Sequence, residues 1–313
     1  MHDAVFADVA VMGAGAVGCY YGAMLARAGA RVRLIGRPAL VDAVAHHGLR
    51  LESRSGAERI AVTATTDPAG AAGAGLVLFC VKSTDTDAAA RAIAPHLAPH
   101  AIVLSLQNGV DNAARIRAHV SNLVVPAVVY VAAEISAPGV LRHNGGGDLV
   151  IGADGSPPPQ ARIMTDLAAH LTGAGIPTRV SDNIEGELWA KLVMNCAYNA
   201  ISALGRIRYG RLVAVPEARQ VMREAVGEIM ALAAAKGVRI ALDDPVAAML
   251  KLADFIPEAI SSTAQDVGRG RATEIDHLNG YVVRECEARS LPVPVNRTLH
   301  ALVKLLERER RPD

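Results

Sequence analysis

Residues 8–18 read Asp8-Val9-Ala10-Val11-Met12-Gly13-Ala14-Gly15-Ala16-Val17-Gly18, a short apolar strand that runs directly into a glycine-rich turn. A helical run follows over 19–28, Gly29 closes it, and 31–35 forms a second apolar strand. This order of strand, turn, helix and strand indicates a βαβ unit. In that context the G-x-G-x-x-G spacing is typical of a turn that binds a dinucleotide.

The spacing gives each glycine of the turn a physical reason. Gly13 permits the tight turn, Gly15 lets backbone amides approach a pyrophosphate, and Gly18 lets the helix pack closely on the strand. The anion then lies at the N-terminus of the helix, where backbone N–H groups lack partners within the helix. We therefore predict that the cofactor contacts all six residues of the turn, Gly13, Ala14, Gly15, Ala16, Val17 and Gly18.

The residues after the second strand bear on the choice of nucleotide. NAD sites usually carry Asp or Glu here, which binds the ribose 2′-OH. This chain has Gly36-Arg37-Pro38 instead. A guanidinium can bind a 2′-phosphate with two hydrogen bonds, whereas a carboxylate would repel it. Arg37 therefore favours NADP, and the alternative is a solvated loop arginine with no role.

Two further strands end in polar side chains. The apolar run 76–81, typical of a parallel strand buried on both faces, ends at Lys82, and the run 101–106 is followed by Gln107, Asn108 and Gly109. Ligands of open α/β sheets bind at the carboxyl ends of strands, so we expect Lys82 and Asn108 to meet cofactor and substrate. The alternative is that both are turn formers, since Asn-Gly is an ordinary turn pair.

The remaining pattern divides the chain. We predict a strand over 123–133, which Pro126 should place near an edge or a bulge, a hairpin turn at 144–147, and a last strand over 176–180. Helices are predicted beyond about residue 183, over 185–204, 217–237, 245–255, 271–289 and 296–310. The sequence thus predicts an α/β Rossmann-type dinucleotide-binding domain, 1–182, followed by an all-α substrate and catalytic domain, 183–313.

Composition excludes several classes of protein. The 313 residues carry a net charge of +1 and no basic run, which argues against nucleic acid. No apolar run approaches the roughly 20 residues that span a bilayer, and the first apolar segment belongs to the fold rather than to a signal peptide. The four cysteines are scattered without metal-ligand spacing, so we expect free thiols, no metal and a cytoplasmic protein. The sequence is silent on oligomeric state, with a homodimer as one option.

One predicted helix carries an unusual polar stripe. The helix over 185–204 is apolar nearly all round, yet Lys191, Asn195 and Asn199 follow one another at a spacing of four. Such residues fall within a sector of roughly 80° on one face of a helix. In one interpretation Lys191 extends to solvent and the amides bond to neighbouring backbone. In the other, the stripe faces a cleft and binds an anionic, oxygen-rich molecule, because burying it without partners would cost several kcal/mol.

Two more polar clusters lie in the C-terminal half. Ser261-Ser262 with Gln265-Asp266 precedes a glycine-containing turn, and 273–280, Thr-Glu-Ile-Asp-His-Leu-Asn-Gly, is predicted to be helical. On their own, the serines would be interpreted as helix caps and Glu274 as part of a solvated helix face.

These motifs, taken together and in order, resemble those of the ketopantoate reductases (2-dehydropantoate 2-reductases), over nearly the whole chain. The resemblance is carried by the glycine turn, Val81-Lys82, Gln107-Asn108-Gly109, the Lys191/Asn195/Asn199 stripe, Ser261-Ser262 with Gln265-Asp266, and Thr273-Glu274-Ile275-Asp276 with Asn279-Gly280. It implies NADPH-dependent reduction of 2-dehydropantoate to pantoate, a step of pantothenate and coenzyme A synthesis.

The resemblance also implies roles for single residues. It makes Lys191 the catalytic general acid. Asn195, Asn199 and Ser262 match substrate-binding positions, and Asn108 lies between cofactor and substrate. Arg37 and Lys82 match positions near the NADPH phosphates and ribose, and Glu274 one near the cofactor ribose.

One segment departs from the pattern. The family can supply a further substrate-binding asparagine in a short Pro/Asn-Gly loop soon after the stripe, where this chain has 205–210, Gly-Arg-Ile-Arg-Tyr-Gly. Reduction of a different 2-oxo acid therefore stays open. So does a dehydrogenase from the wider group with an α-helical second domain, against which the Ser-Ser and Thr-Glu motifs argue. A non-catalytic NADPH-binding protein is the third possibility.

Overall fold

The computed structural model describes residues 6–152 and 158–309 of the chain. Its backbone forms two compact units, the first comprising Met1–Gln107 and Asp111–Ile184, the second Asn108–Val110 and Glu185–Asp313. The strands are β1 (Asp8–Met12), β2 (Arg31–Ile35), β3 (Leu49–Ser53), β4 (Gly56–Ile60), β5 (Thr63–Thr65), β6 (Leu76–Phe79), β7 (Ile102–Ser105), β8 (Leu123–Ala137), β9 (Val140–Ile151) and β10 (Thr178–Val180).

The first unit is built on one sheet, which runs in the order β4-β3-β9-β8-β7-β6-β1-β2-β5, with β10 paired to β9. From β5 to β8 neighbouring strands are parallel, whereas β8 with β9 and β3 with β4 are antiparallel. The strand order reverses around β1, so the residues after β1 lie at the point where open α/β sheets bind ligands. The predicted Rossmann-type sheet is therefore present.

Five helices accompany this sheet in the described part of the first unit, α1 (Ala16–Arg27), α2 (Pro38–His47), α3 (Thr86–Ile93), α4 (Asn112–Arg117) and α5 (Pro158–Gly173). Helix α1 packs Tyr21 and Leu25, both fully buried, into a core that includes Val11 and Leu34 from β1 and β2. Small side chains allow this close packing, since a Cβ at Gly18 would lie 2.7 Å from Val11 Cγ1.

Two predictions for β8 and β9 are wrong. Pro126 belongs to an interior strand, since β8 lies between β7 and β9, and it is not at a register shift of β8 against β9. Pro126 pairs with Ser105 of β7, and pairing with β9 begins only at Ala127. Its missing N–H therefore costs no ladder bond to β9. Residues 144–147 are part of β9, where two register shifts against β8 absorb them as bulges, and the hairpin turn lies at Pro138-Gly139. Glycines with positive φ serve a bulge as well as a turn, so the sequence pattern alone does not separate the two.

The second unit is helical. Its helices are α6 (Ile184–Gly205), α7 (Tyr209–Val213), α8 (Pro216–Lys236), α9 (Pro245–Phe255), α10 (Ser262–Gly268), α11 (Asn279–Glu287) and α12 (Pro294–Glu309). The predicted helix over 271–289 starts too early, because a 3-10 turn at Ile275–His277 precedes α11. Glu274 therefore lies on an irregular segment and not on a helix face.

Helix α6 forms the centre of the second unit. Trp189, Val193 and Tyr198 are buried in a core shared with α8 and α11. Within the described residues, no helix combines the length and apolar character needed to cross a membrane.

Candidate active site

The glycine turn of the first unit has the conformation that its motif predicts. Gly13 has φ +97°, and a Cβ there would lie 2.5 Å from Val81 N; a Cβ at Gly18 would lie 2.4 Å from Gly13 O. Both glycines are therefore required by the fold itself. Gly15 differs, since its φ is −85° and an added Cβ would meet no atom within 4 Å. The fold itself therefore does not require glycine at position 15. The need to leave space for a ligand explains it.

Gly15 is the N-cap of α1, and its side-chain-free backbone leaves the first helical amides accessible. The earliest amide of α1 with a helical partner is that of Cys19, which donates to Gly15 O at 2.8 Å. The preceding amides, at Ala16, Val17 and Gly18, have no acceptor within the helix and point toward its N-terminus. This arrangement fits the pyrophosphate of a dinucleotide.

The ends of β2 and β6 lie beside the turn. The N–H groups of Gly13 and Ala14 both donate to Ile35 O, at 3.1 and 3.0 Å, and Cys80 N donates to Met12 O at 2.7 Å. The two predicted phosphate-binding side chains, Arg37 and Lys82, follow these strand ends within two and three residues. The structure thus brings Arg37, Lys82 and the glycine turn to one edge of the sheet.

Arg37 is exposed as the N-cap of α2. Its side chain makes no hydrogen bond or ion pair with any residue in 6–152 or 158–309. The residue before it, Gly36, lies so close to Ala14 that a Cβ would approach Ala14 Cβ to 2.9 Å. A guanidinium beside the turn with no structural partner is suited to an anionic group of the ligand.

A buried polar network, which the sequence does not predict, joins the loops after β6 and β7. Gln107 Nε2 donates to Thr86 Oγ1 at 2.8 Å and to Val81 O at 3.0 Å. Thr86 in turn donates to Asn112 Oδ1 at 2.9 Å, and Asn112 Nδ2 donates to Ser83 Oγ at 3.1 Å. The network holds the segment that carries Lys82 against the segment that leads to Asn108. The Gln-Asn-Gly motif at 107–109 is the only sequence signal for this network that we identified.

In the second unit, α6 presents the polar stripe. Lys191 and Asn195 are partly buried, and Asn199 is only 3% exposed. The side chain of Asn195 makes no hydrogen bond with any described residue, and that of Asn199 bonds only to the hydroxyl of Tyr209. The interpretation in which both amides bond to nearby backbone is therefore not what the described residues show. Unused donors and acceptors in a partly buried stripe fit a polar ligand.

Burial lowers the pKa of Lys191 to about 8, and the Glu274 carboxylate acts in the opposite direction by raising it. A lysine with this pKa keeps its proton near neutral pH and releases it more readily than an exposed lysine does. Perturbation by burial together with a specific charged neighbour is typical of functional sites.

Asn108 and Glu274 lie together near Lys191. Asn108 Nδ2 donates to Glu274 Oε2 at 3.2 Å, and both residues belong to the second unit. Glu274, which is expected near the cofactor ribose, thus accepts a hydrogen bond from Asn108, which is expected between cofactor and substrate. The sequence does not predict that Glu274 lies near Lys191, because the two residues are far apart along the chain.

Helix α12 anchors both sides of Glu274. Thr273 is buried, and its N–H and hydroxyl both donate to Glu307 Oε1, at 2.7 and 2.6 Å. Asp276 pairs with His300 and Lys304, and chiefly the His300 hydrogen bond holds the pKa of Asp276 well below its usual range. The Thr-Glu-Ile-Asp motif therefore contains two anchoring side chains around one that faces Asn108.

The two adjacent serines differ. Ser261 is buried, caps α10 by accepting from Ala264 N at 3.0 Å, and donates to Asn199 O at 3.1 Å. Ser262 is exposed and its side chain has no hydrogen bond to the described residues. The capping role is thus filled by Ser261, which leaves the Ser262 hydroxyl available to a ligand.

Comparisons with known proteins identify the family. Residues 9–155 match the family model described as "Ketopantoate reductase PanE/ApbA", and residues 183–307 match "Ketopantoate reductase PanE/ApbA C terminal". The 2-dehydropantoate 2-reductase of Halobacterium salinarum is 36% identical over 96% of this chain and 99% of its own length. That of Pyrococcus horikoshii is 31% identical over 95% of this chain and 96% of its own.

Solved structures agree. The crystal structure of a PanE/ApbA family ketopantoate reductase from Ralstonia eutropha has a TM-score of 0.91 and 52% identity, and the match covers 97% of this chain and 99% of that one. A D-mandelate dehydrogenase with NADH reaches a TM-score of 0.88 at 22% identity, which shows a shared fold alone. From its fold, its motifs and these relatives, the chain belongs to the ketopantoate reductase family.

Proposed function

We propose that this protein reduces 2-dehydropantoate to pantoate with NADPH. The observation that carries the proposal is the polar stripe on α6, where Lys191, Asn195 and Asn199 share one helix face and, among the described residues, neither amide side chain bonds to nearby backbone. Burial lowers the pKa of Lys191 to about 8, and the Glu274 carboxylate acts in the opposite direction. The names of the relatives point to the same substrate.

Lys191 acts as the general acid. NADPH, when bound, supplies hydride to the ketone carbon. Negative charge then develops on the carbonyl oxygen, and the Lys191 ammonium stabilises it and donates the proton. With a pKa of about 8, Lys191 is mostly protonated at pH 7. The Glu274 carboxylate favours the protonated form of Lys191, because it raises the pKa of that lysine.

The amides and the serine bind the substrate. Asn195 and Asn199 are neutral, so they bind carboxylate or hydroxyl oxygens without neutralising the ammonium of Lys191. Ser262 offers a hydroxyl with no structural partner among the described residues. Asn108, whose amide nitrogen donates to Glu274, belongs to the same cluster.

The residues of the first unit fit a nicotinamide dinucleotide, and we propose NADP as the form used. Gly15 leaves the space for the pyrophosphate, and the Arg37 guanidinium supplies the charge that suits a 2′-phosphate. Lys82, at the end of β6, contributes to the same phosphates. The proposed assignment of the chain is residues 1–182 for the cofactor and 183–313 for the substrate.

Following NADPH absorbance with 2-dehydropantoate and a panel of other 2-oxo acids tests the proposal. We expect 2-dehydropantoate to give the highest kcat/KM. A different acid at the top of the panel would correct the substrate, and NADPH binding without turnover of any 2-oxo acid would replace the enzyme by a sensor.

A cytoplasmic location is part of the proposal, supported by four free cysteines. A homodimer is a separate prediction, which sedimentation of the purified protein tests.

A further inference from the structure

Tyr209 lies in the segment where this chain departs from the family pattern. It is the first residue of α7, and its hydroxyl donates to Asn199 Oδ1 at 3.4 Å. Both side chains are almost fully buried, with Tyr209 8% and Asn199 3% exposed. Asn199 Nδ2 makes no hydrogen bond with any residue of 6–152 or 158–309. One end of the amide is therefore occupied and the other is unused.

Chemistry fixes the direction of this hydrogen bond. A tyrosine hydroxyl carries one proton, and within the described residues Asn199 Oδ1 is its only acceptor. If the amide were reversed, the hydroxyl would accept from Nδ2 and its own proton would be left buried without a partner, which is unfavourable. Burial raises the pKa of Tyr209, so the hydroxyl keeps its proton at physiological pH.

Neighbouring residues hold Tyr209 in place. Its ring packs on that of Tyr198 with centroids 4.3 Å apart, and its N–H donates to Ala259 O at 3.0 Å. The next N–H, of Gly210, donates to Pro257 O at 2.9 Å. The segment bonded in this way leads directly to Ser261 and Ser262. Tyr209 thus connects Asn199 with the backbone that positions Ser262.

We propose that Tyr209 is a positioning residue, which fixes the Asn199 amide so that its nitrogen, and not its oxygen, meets the substrate. The inference rests on the proposed function, because it takes Asn199 as a substrate-binding residue. The fixed amide makes the site selective. The substrate atom at Asn199 must be a hydrogen-bond acceptor, such as a carboxylate or carbonyl oxygen, and an ammonium or amine group at this place is rejected.

Two tyrosine variants separate positioning from structure. Tyr209→Phe removes the hydroxyl and keeps the ring that packs on Tyr198, so we expect KM for the 2-oxo acid to rise about 3- to 10-fold with kcat changed less. Tyr198→Phe is the matched control, because its hydroxyl donates to a backbone oxygen, Met249 O, at 2.7 Å. It should lower Tm and leave KM unchanged. An unchanged KM in Tyr209→Phe, or an equal KM change in both variants, overturns the proposal.

A double-mutant cycle tests whether Tyr209 acts through Asn199. In an Asn199→Ala background there is no amide to orient, so adding Tyr209→Phe should raise KM no further. The same increase in both backgrounds would contradict positioning and indicate a direct or purely structural role.

The wild-type assay keeps this inference apart from the proposed function. If the wild type prefers another 2-oxo acid, the named substrate is wrong, and the cycle is measured with that acid. If the wild type turns over 2-dehydropantoate but the cycle shows no coupling, the function stands and the role of Tyr209 fails. If it reduces no 2-oxo acid, both fall.

Discussion

The glycine turn of the first unit and the polar stripe of the second unit are both suited to negative charge, but by opposite means. The turn uses backbone amides and depends on a missing side chain, since Gly15 faces open space. The stripe uses side chains whose properties depend on burial, since Lys191 has its pKa lowered to about 8. Filling space should therefore disable the first site without unfolding it, whereas the second should be disabled by removing a functional group.

Lys191→Ala should have the largest effect. We expect kcat to fall by roughly 10²–10⁴-fold, the usual range for a lost general acid. NADPH affinity should barely change, and the fold should survive because Glu274 keeps its bond to Asn108. Steady-state kinetics measure kcat, and thermal melts with and without NADPH report cofactor binding and the fold. Lys236→Ala, which removes a lysine of α8 that is paired with Glu285, is the control and should keep wild-type kcat.

Gly15→Val should weaken NADPH binding by about 100-fold, because it blocks one or two hydrogen bonds to a charged phosphate worth about 1.5–3 kcal/mol each. The Tm without cofactor should stay near that of the wild type. Gly18→Ala is the contrasting variant, since its Cβ would clash with Gly13 O at 2.4 Å and should lower Tm. Fluorescence titration measures the NADPH affinity of the two variants, and thermal melts measure their Tm. Wild-type NADPH affinity in Gly15→Val would mean that the open space is not the pyrophosphate site.

Arg37→Asp should reduce NADPH affinity by about 10-fold or more and change NADH affinity much less, because the new carboxylate faces the 2′-phosphate that only NADPH carries. The ratio of the two Kd values is the measurement. Equal losses for both cofactors would point to a folding defect, and no loss would remove Arg37 from the site.

The smallest effects should separate the two serines. Ser261→Ala removes the cap of α10 and should cost about 1 kcal/mol of unfolding free energy. Ser262→Ala should leave stability unchanged and raise substrate KM about 3- to 10-fold. Chemical denaturation of the two variants measures the unfolding free energy, and steady-state kinetics measure the substrate KM. The reverse pattern would exchange their roles.

The glycine turn can be predicted from sequence because two of its positions, Gly13 and Gly18, leave no room for a side chain. Gly13 has positive φ and Gly18 faces a carbonyl oxygen, so spacing alone encodes the geometry. The strands β1 and β2 lie within the bounds that their apolar runs predict. The bulges in β9 resemble a turn in sequence, because glycine is favoured in both.

The second unit can be predicted only in part. The stripe on α6 follows from helical periodicity, and the residues named in it lie on one helix as expected. The contact of Glu274 with Asn108, the bonds of its neighbours to Glu307 and His300, and the bond from Tyr209 to Asn199 join residues that no local pattern connects. Tertiary packing sets these contacts, and with them the environment that gives Lys191 its pKa.

Whether Lys191 is the proton donor is tested most directly by the pH dependence of kcat/KM for reduction of 2-dehydropantoate. This parameter reports the groups of the free enzyme. Because the protonated lysine is the active form, kcat/KM should be level below a pH of about 8 and fall as pH rises through it. The residual activity of Lys191→Ala should lack this decline. A wild-type profile that stays level well above pH 8, or the same decline in the variant, would contradict this role for Lys191.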